Sequence, residues 1–280
     1  MTFDDLILNP KSRVQLLNYC RQPTHALLLT GKIGVGLKTI AQVLAREIAQ
    51  TNIVIIEPKL HNTQKTLTIN IEDIRNLHEL TRARRNDNFV IIIDDADQMT
   101  NDAPQAFLKL LEEPVQNIFY ILTSHNTARL PETIRSRTQI IEILPPPADL
   151  VQEIFKISPM KLTTEKRAKI DFLGDRRPAE IARLLTDEEY FRNAAATMET
   201  AKNFVQWNVA ARLRIVVLTT TREAAVELAE NIAKLMMLTI TRVKNPKVTA
   251  DNLTMISNTI DNLTQNGNVR AQLTNLAVNL

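Results

Sequence analysis

Five short apolar runs punctuate the first 145 residues: HALLLT (25–30), NIVIIE (52–57), FVIIID (89–94), IFYILTS (118–124) and QIIEIL (139–144). They constrain the fold more than any other feature. A run that is apolar without alternation needs cover on both of its faces, and a strand of that kind belongs to a parallel sheet. Helical stretches lie between the runs. Residues 10–21 are one, and GLKTIAQVLAREIAQ is another, with Ile40, Val43, Leu44 and Ile48 at helical spacing. The alternation predicts an α/β domain with a parallel sheet. Ligands of such sheets sit at the carboxyl ends of the strands.

Pro145, Pro146 and Pro147 close this region, since three consecutive prolines continue neither a strand nor a helix interior. Beyond them the pattern is wholly helical. Short helices are expected over 148–186, and longer amphipathic ones from about 187 to the end, such as REAAVELAENIAKLMMLTITRV (222–243). In the last segment Val269, Leu273, Leu276 and Leu280 share one stripe. The expected domains are 1–146, 147–186 and 187–280.

GKIGVGLKTIA (31–41) follows the first predicted strand and opens the next helix, the context of a phosphate-binding loop. The chain has five glycines, and three of them, Gly31, Gly34 and Gly36, lie here, so the backbone has a local requirement. The pattern G-x-x-x-x-G-K-[ST] fits the glycines only if Leu37 stands at the lysine position. Anchored on Lys38 and Thr39 instead, it places its glycines on Lys32 and Leu37. One step along a helix turns a side chain by roughly 100°, so Lys38 is expected to point away from the usual lysine direction. Two readings follow: a loop that does not support hydrolysis, or a one-residue bulge that restores Lys38. In either case the backbone N–H groups at the helix start suit an anion.

FVIIIDDADQM (89–99) delivers Asp94 at the end of a buried strand, where a carboxylate can hold Mg²⁺. Asp95 follows, where ATPases place a water-orienting glutamate. An aspartate there is shorter by one carbon–carbon bond, roughly 1.5 Å of reach. Two aspartates after a strand also serve as a turn or a helix cap.

The residues that come next carry a resemblance. DDADQMTNDAPQAFLKLLEEP (94–114) resembles the D-E-A-D-x-M…A-L-L-K-x-L-E-E-P block of AAA+ clamp-loader subunits, and LPETIRSRTQ (130–139) resembles their L-P-x-T-I-x-S-R-C-Q. FDDLILNP (3–10), HALLLTG (25–31) and the terminal NGNVRAQLTNLAVNL are similar to further family segments, so the likeness spans nearly the whole chain. It implies a AAA+ nucleotide-fold domain, a small helical lid and a helical collar that packs against other subunits. A self-contained helical bundle would show the same stripes.

The resemblance also implies roles for single residues. Delta-prime-type subunits can have degraded loops while keeping the arginine of the S-R-C motif, which acts on ATP held by a neighbour; here it is Arg137. Ser124 falls around the sensor-1 position. Arg177 matches the sensor-2 arginine, with Arg176 an equal claimant. ATP and Mg²⁺ would be held, if at all, by Gly31, Gly34, Gly36, Lys38, Thr39 and Asp94. Thr138 replaces the motif cysteine, and the four-cysteine zinc module common in these subunits is absent, so no zinc is expected. The implied function is sliding-clamp loading on primed DNA within a hetero-oligomer, as a non-hydrolysing subunit. An active ATPase of the gamma type and a related DNA-associated remodeller are the alternatives.

Composition adds exclusions. A single cysteine, Cys20, rules out an internal disulfide framework. The acidic start MTFDD lacks a signal-peptide core, and no apolar run reaches the roughly 20 residues that span a bilayer. A cytoplasmic protein is therefore expected, with no membrane partner. Net charge is +3, compatible with nucleic acid without arguing for it. Arg82, Arg84 and Arg85 form a basic cluster without interleaved aromatics, so any contact would be to phosphates. His61, in the region of the missing zinc module, reads as a surface residue.

Overall fold

A computed structural model describes residues 2–60, 67–81, 86–157, 162–239, 246–265 and 267–280; His61 and the cluster Arg82, Arg84 and Arg85 lie outside them. The chain divides into two compact units, Met1–Thr186 and Asp187–Leu280.

In the first unit all five apolar runs are strands: β1 (Ala26–Gly31), β2 (Ile53–Ile56), β3 (Phe89–Ile93), β4 (Ile118–Ser124) and β5 (Gln139–Ile143). They form one parallel sheet in the order β2-β3-β4-β1-β5. Side chains alternate between the two faces, and both faces are covered. Leu27, Leu29, Val90, Ile92 and Ile121 pack beneath α1 (Pro10–Arg21) and α2 (Leu37–Ala49). Leu28, Ile91, Ile93, Tyr120 and Leu122 pack beneath α3 (Ile71–Thr81) and α4 (Ala103–Glu112). Continuous apolar runs are what two covered faces demand.

Local chemistry sets the helix starts. Asn9 caps α1 by accepting from the Lys11 N–H, with Pro10 in the first turn, where its missing N–H costs nothing. The Ser12 hydroxyl donates to the Glu142 carbonyl and accepts from the Leu144 N–H, fastening α1 to β5. After a short α5 (Glu132–Arg135) and β5 come α6 (Ala148–Ile157), α7 (Thr164–Gly174) and α8 (Pro178–Thr186). The α7–α8 pair closes on Gly174: a Cβ there would lie 2.2 Å from Ile181 Cγ1.

The second unit is helical: α9 (Glu188–Gln206), α10 (Val209–Leu218), α11 (Arg222–Thr239), α12 (Pro246–Thr264) and α13 (Val269–Asn279). Asp187, Asn208 and Asn268 cap α9, α10 and α13 through their side chains. Phe204, Ile232, Ile256, Leu263, Leu273 and Leu276 meet in its core. Val269 and Leu280 pack against the same core, so the whole terminal stripe is used inside this unit. Arg212 ties three helices together, donating to the carbonyls of Phe204, Val205 and Ala277. Among the described residues no helix is long and apolar enough to cross a membrane.

Candidate nucleotide-type site and an exposed arginine

The carboxyl ends of β1, β3 and β4 bring together the glycine loop, the two aspartates and the residues after β4. Gly34 (φ 88°) and Gly36 (φ 96°) both take left-handed conformations, which only glycine adopts at little cost. Gly36 sits at the start of α2, and the Ile40 N–H bonds to its carbonyl, so the helix runs regularly from Leu37 with no bulge.

That regular start decides where the next two side chains go. Leu37 is 2% exposed and belongs to the core beneath the sheet. Lys38, one step on, leaves the core and reaches across to the acidic strand ends: its Nζ lies 2.6 Å from Glu57 Oε1 and 3.4 Å from Asp94 Oδ2. Burial opposes the ammonium charge, but the hydrogen bond to Glu57 and the charge of Asp94 outweigh it and hold the Lys38 pKa above its ordinary value. Thr39 lines the cleft described below.

Asp94 is buried and doubly held. The Thr123 hydroxyl donates to its Oδ1 at 2.7 Å, while accepting from the Asp95 N–H at 2.8 Å. The register explains the meeting: Ile93 on β3 stands opposite Leu122 on β4, so the next pair along is Asp94 and Thr123. Asp95 takes a left-handed conformation at φ 47°. Burial, then the charge of Asp94, raises its pKa. His125 lies beside it, with Nε2 3.6 Å from Asp95 Oδ1. The other ring nitrogen, Nδ1, donates to the Gly31 carbonyl at 2.8 Å, which fixes the ring between loop and aspartate.

Helix α8 closes on the loop. The Gly34 carbonyl accepts from the N–H groups of Ala179 (2.9 Å) and Glu180 (3.1 Å), so the loop caps the start of that helix. Arg177 adds a second tie, donating to the carbonyls of Ile33, Leu173 and Gly174. Arg176 is exposed. Between loop, N-terminal segment and α8 lies a cleft of about 480 Å³, lined mostly by apolar groups, among them Leu6, Leu8, Val35, Ala179 and Ala182. It has the size and character of a small-molecule pocket.

Arg137 belongs to none of this. It stands just after α5, its side chain 39% exposed, with Nη2 2.9 Å from Glu112 Oε1 and Nη1 donating to the Thr133 carbonyl. The last turn of α4, in the stretch LLEEP, thus holds the arginine at the surface.

The model of the family described as "DNA polymerase III, delta subunit" matches residues 47–147, the stretch that contains β2 to β5 and these aspartates. DNA polymerase III subunit delta' of Haemophilus influenzae is 26% identical over 201 residues, 65% of this chain and 59% of that protein. Replication factor C small subunit 2 of Pyrobaculum arsenaticum is 29% identical over 163 residues, 54% of this chain and 47% of that one. Over the stretch that these matches cover, the chain is similar to clamp-loader subunits. It spans about half the length of the curated relatives it matches. A DNA polymerase III gamma subunit-related protein of Thermotoga maritima shares the fold, with a TM-score of 0.56 at 17% identity over 94% of this chain and 97% of that one. A RuvB mutant of the same organism does so at 0.54 and 15%, over 75% and 83%.

Set against these clamp-loader relatives, the sequence-derived positions fall into three groups. Gly31, Gly34, Gly36, Lys38, Asp94, Asp95 and Arg177 are brought to one end of the sheet. Arg137 is held apart by Glu112. Ser124 is buried and its hydroxyl accepts from the Asn126 N–H; Thr123 and His125, on either side, are the residues that touch the aspartates. Neither was singled out from the sequence, where the signals on offer were a threonine embedded in an apolar strand and a histidine immediately after that strand. Glu57, the partner of Lys38, carried no signal beyond its place at the end of a predicted strand.

Proposed function

We propose that this chain is a non-hydrolysing, delta-prime-type subunit of a clamp-loading assembly, and that it presents Arg137 to nucleotide held by a neighbouring subunit. The observation that carries the reading is the division of labour between the two arginines and the lysine position. Leu37 is in the core where a phosphate-contacting lysine belongs, and Arg177 is tied to the loop carbonyl of Ile33 and to the end of α7. Arg137 stands apart from the loop and the aspartates with an exposed side chain, held by a carboxylate it can leave. A guanidinium delivered from outside a nucleotide site stabilises charge on the transferring phosphoryl group.

The partners are then other subunits of a hetero-oligomeric ring, a sliding clamp and primed DNA reached through the assembly. Leu218, Met237 and Leu238 of the second unit are exposed apolar groups available for subunit contact. ATP with Mg²⁺ is the neighbour's ligand; the cleft beside Thr39 is sized for a nucleobase in this chain as well.

Substituting Arg137→Ala in the complete assembly tests the reading. Its ATPase kcat falls by about ten-fold or more, a conservative expectation beside the roughly 10³–10⁵ that an arginine supplied in trans is worth at the site it serves. Unchanged kcat would reject the trans role. One observation favours a second reading, an ATPase of the gamma type: Lys38 reaches Asp94 at 3.4 Å. Measurable turnover by the purified chain, abolished by Lys38→Ala, would carry that reading instead.

A further inference from the structure

The P-loop pattern ends G-K-[ST], and its hydroxyl residue contacts the divalent metal that the aspartate at the end of the third strand also holds. Counted from Gly36, Leu37 takes the lysine position and Lys38 takes the hydroxyl position. The side chain that the pattern sends to the metal is therefore, in this chain, itself a cation. Its Nζ is 2.6 Å from Glu57 and 3.4 Å from Asp94, the two carboxylates at the ends of adjacent strands β2 and β3. The other oxygen of Asp94 accepts from Thr123 at 2.7 Å.

The family implies a magnesium ion against Asp94, and the residues present do not fit one. A magnesium ion needs near-octahedral oxygen donors at about 2.0–2.1 Å. Here the hydroxyl position of the pattern holds Lys38, the neighbouring Thr39 lines the apolar cleft, one carboxylate oxygen is taken by Thr123, and an ammonium occupies the approach to the other. Two cations do not share a position a few ångströms wide, since the repulsion between an ammonium and a divalent ion at that separation is twice that of two unit charges and is weakly screened in a half-buried site.

We infer that Lys38 is the site's built-in cation: its ammonium neutralises Asp94 and Glu57 in the place of the divalent metal, and the site excludes that metal. The geometry explains why the displaced lysine persists as a half-buried residue. Its role is to satisfy the acidic strand ends that the fold keeps in place, a role that requires neither phosphate nor metal. The site then has a fixed charge that does not vary with metal supply. This deepens the non-hydrolysing reading but is tested apart from it.

The test is manganese binding by the full-length chain, followed as loss of the free Mn²⁺ paramagnetic resonance signal, without nucleotide and without partner subunits. Lys38→Thr restores the hydroxyl and removes the ammonium. It is expected to bind one Mn²⁺ at least about ten-fold more tightly than the unsubstituted chain, and to lose that gain when Asp94→Asn is added. Circular dichroism melts check folding, and Lys38→Met, which removes only the charge, carries the same expected gain if Lys38→Thr is unfolded. Two results overturn the inference: Asp94-dependent Mn²⁺ binding by the unsubstituted chain as tight as that of Lys38→Thr, or no gain in a folded variant. Neither result bears on Arg137, which acts at another subunit's nucleotide.

Discussion

At the scale of single residues, the site is governed by one helical step. Leu37 and Lys38 differ by one position, and that sends one into the core and the other to the carboxylates. The direction of Lys38 away from the usual lysine path was legible in the sequence, because helix geometry fixes it. Its destination was not, since Glu57 and Asp94 are brought beneath it only by the pairing of β2 with β3. The same limit hid Thr123, whose contact with Asp94 depends on the register of β3 against β4. Asp95 yields a prediction at this scale. Its folded-state pKa is raised, chiefly by burial and then by Asp94, so it binds its proton more tightly folded than unfolded. Ionised Asp95 therefore lowers stability above that raised pKa, and the penalty vanishes as pH falls below the unfolded value. Asp95→Asn, which keeps the left-handed backbone accessible, should raise the melting temperature at pH 7 by about 1–3 °C after allowance for solvent screening. The gain should disappear near pH 3.5. A lower melting temperature at pH 7 would show that the carboxylate is stabilising, through His125 for instance.

At the scale of elements, the strands and the cover on both their faces could be read directly, and the loop–α8 junction could not. A parallel sheet covered on both faces writes itself as continuous apolar runs, and each of the five lies within two residues of its strand ends. The junction instead rests on backbone groups, which sequence patterns do not record: the Gly34 carbonyl capping α8 and the Ile33 carbonyl accepting from Arg177. A Cβ at Gly34 would lie 2.8 Å from Glu180 Cβ, in addition to the strain of φ 88°. Gly34→Ala is expected to destabilise the chain by about 1–3 kcal/mol in urea unfolding. It should also speed amide hydrogen exchange at Ala179 and Glu180, the two donors to the Gly34 carbonyl. Unaltered exchange at those two amides would mean that the loop does not cap the helix in solution.

At the scale of the whole molecule, the two units have separate cores. The helices from Glu188 onward bury Phe204, Ile232, Leu273 and Leu276 among themselves, and Arg222 adds a tie from α11 to the carbonyls of Leu263 and Gly267. The apolar stripe of the last helix was visible in the sequence, but whether it faced its own bundle or another chain was not, because both uses give the same pattern. Residues 187–280 produced alone should accordingly be helical by circular dichroism and melt cooperatively. A non-cooperative melt would mean that the core depends on the rest of the chain.

The central claim concerns where nucleotide chemistry happens: at a neighbour, helped by Arg137, and not at this chain's own loop. Its most direct measurement is the steady-state ATPase of the complete assembly carrying, in turn, Arg137→Ala and Asp94→Asn in this chain. Arg137→Ala should lower kcat by about ten-fold or more with little change in KM for ATP, and Asp94→Asn should leave both within about two-fold, as expected of a residue outside the reacting site. The reverse pattern, a collapse with Asp94→Asn and full activity with Arg137→Ala, would contradict the claim and make this subunit a working ATPase.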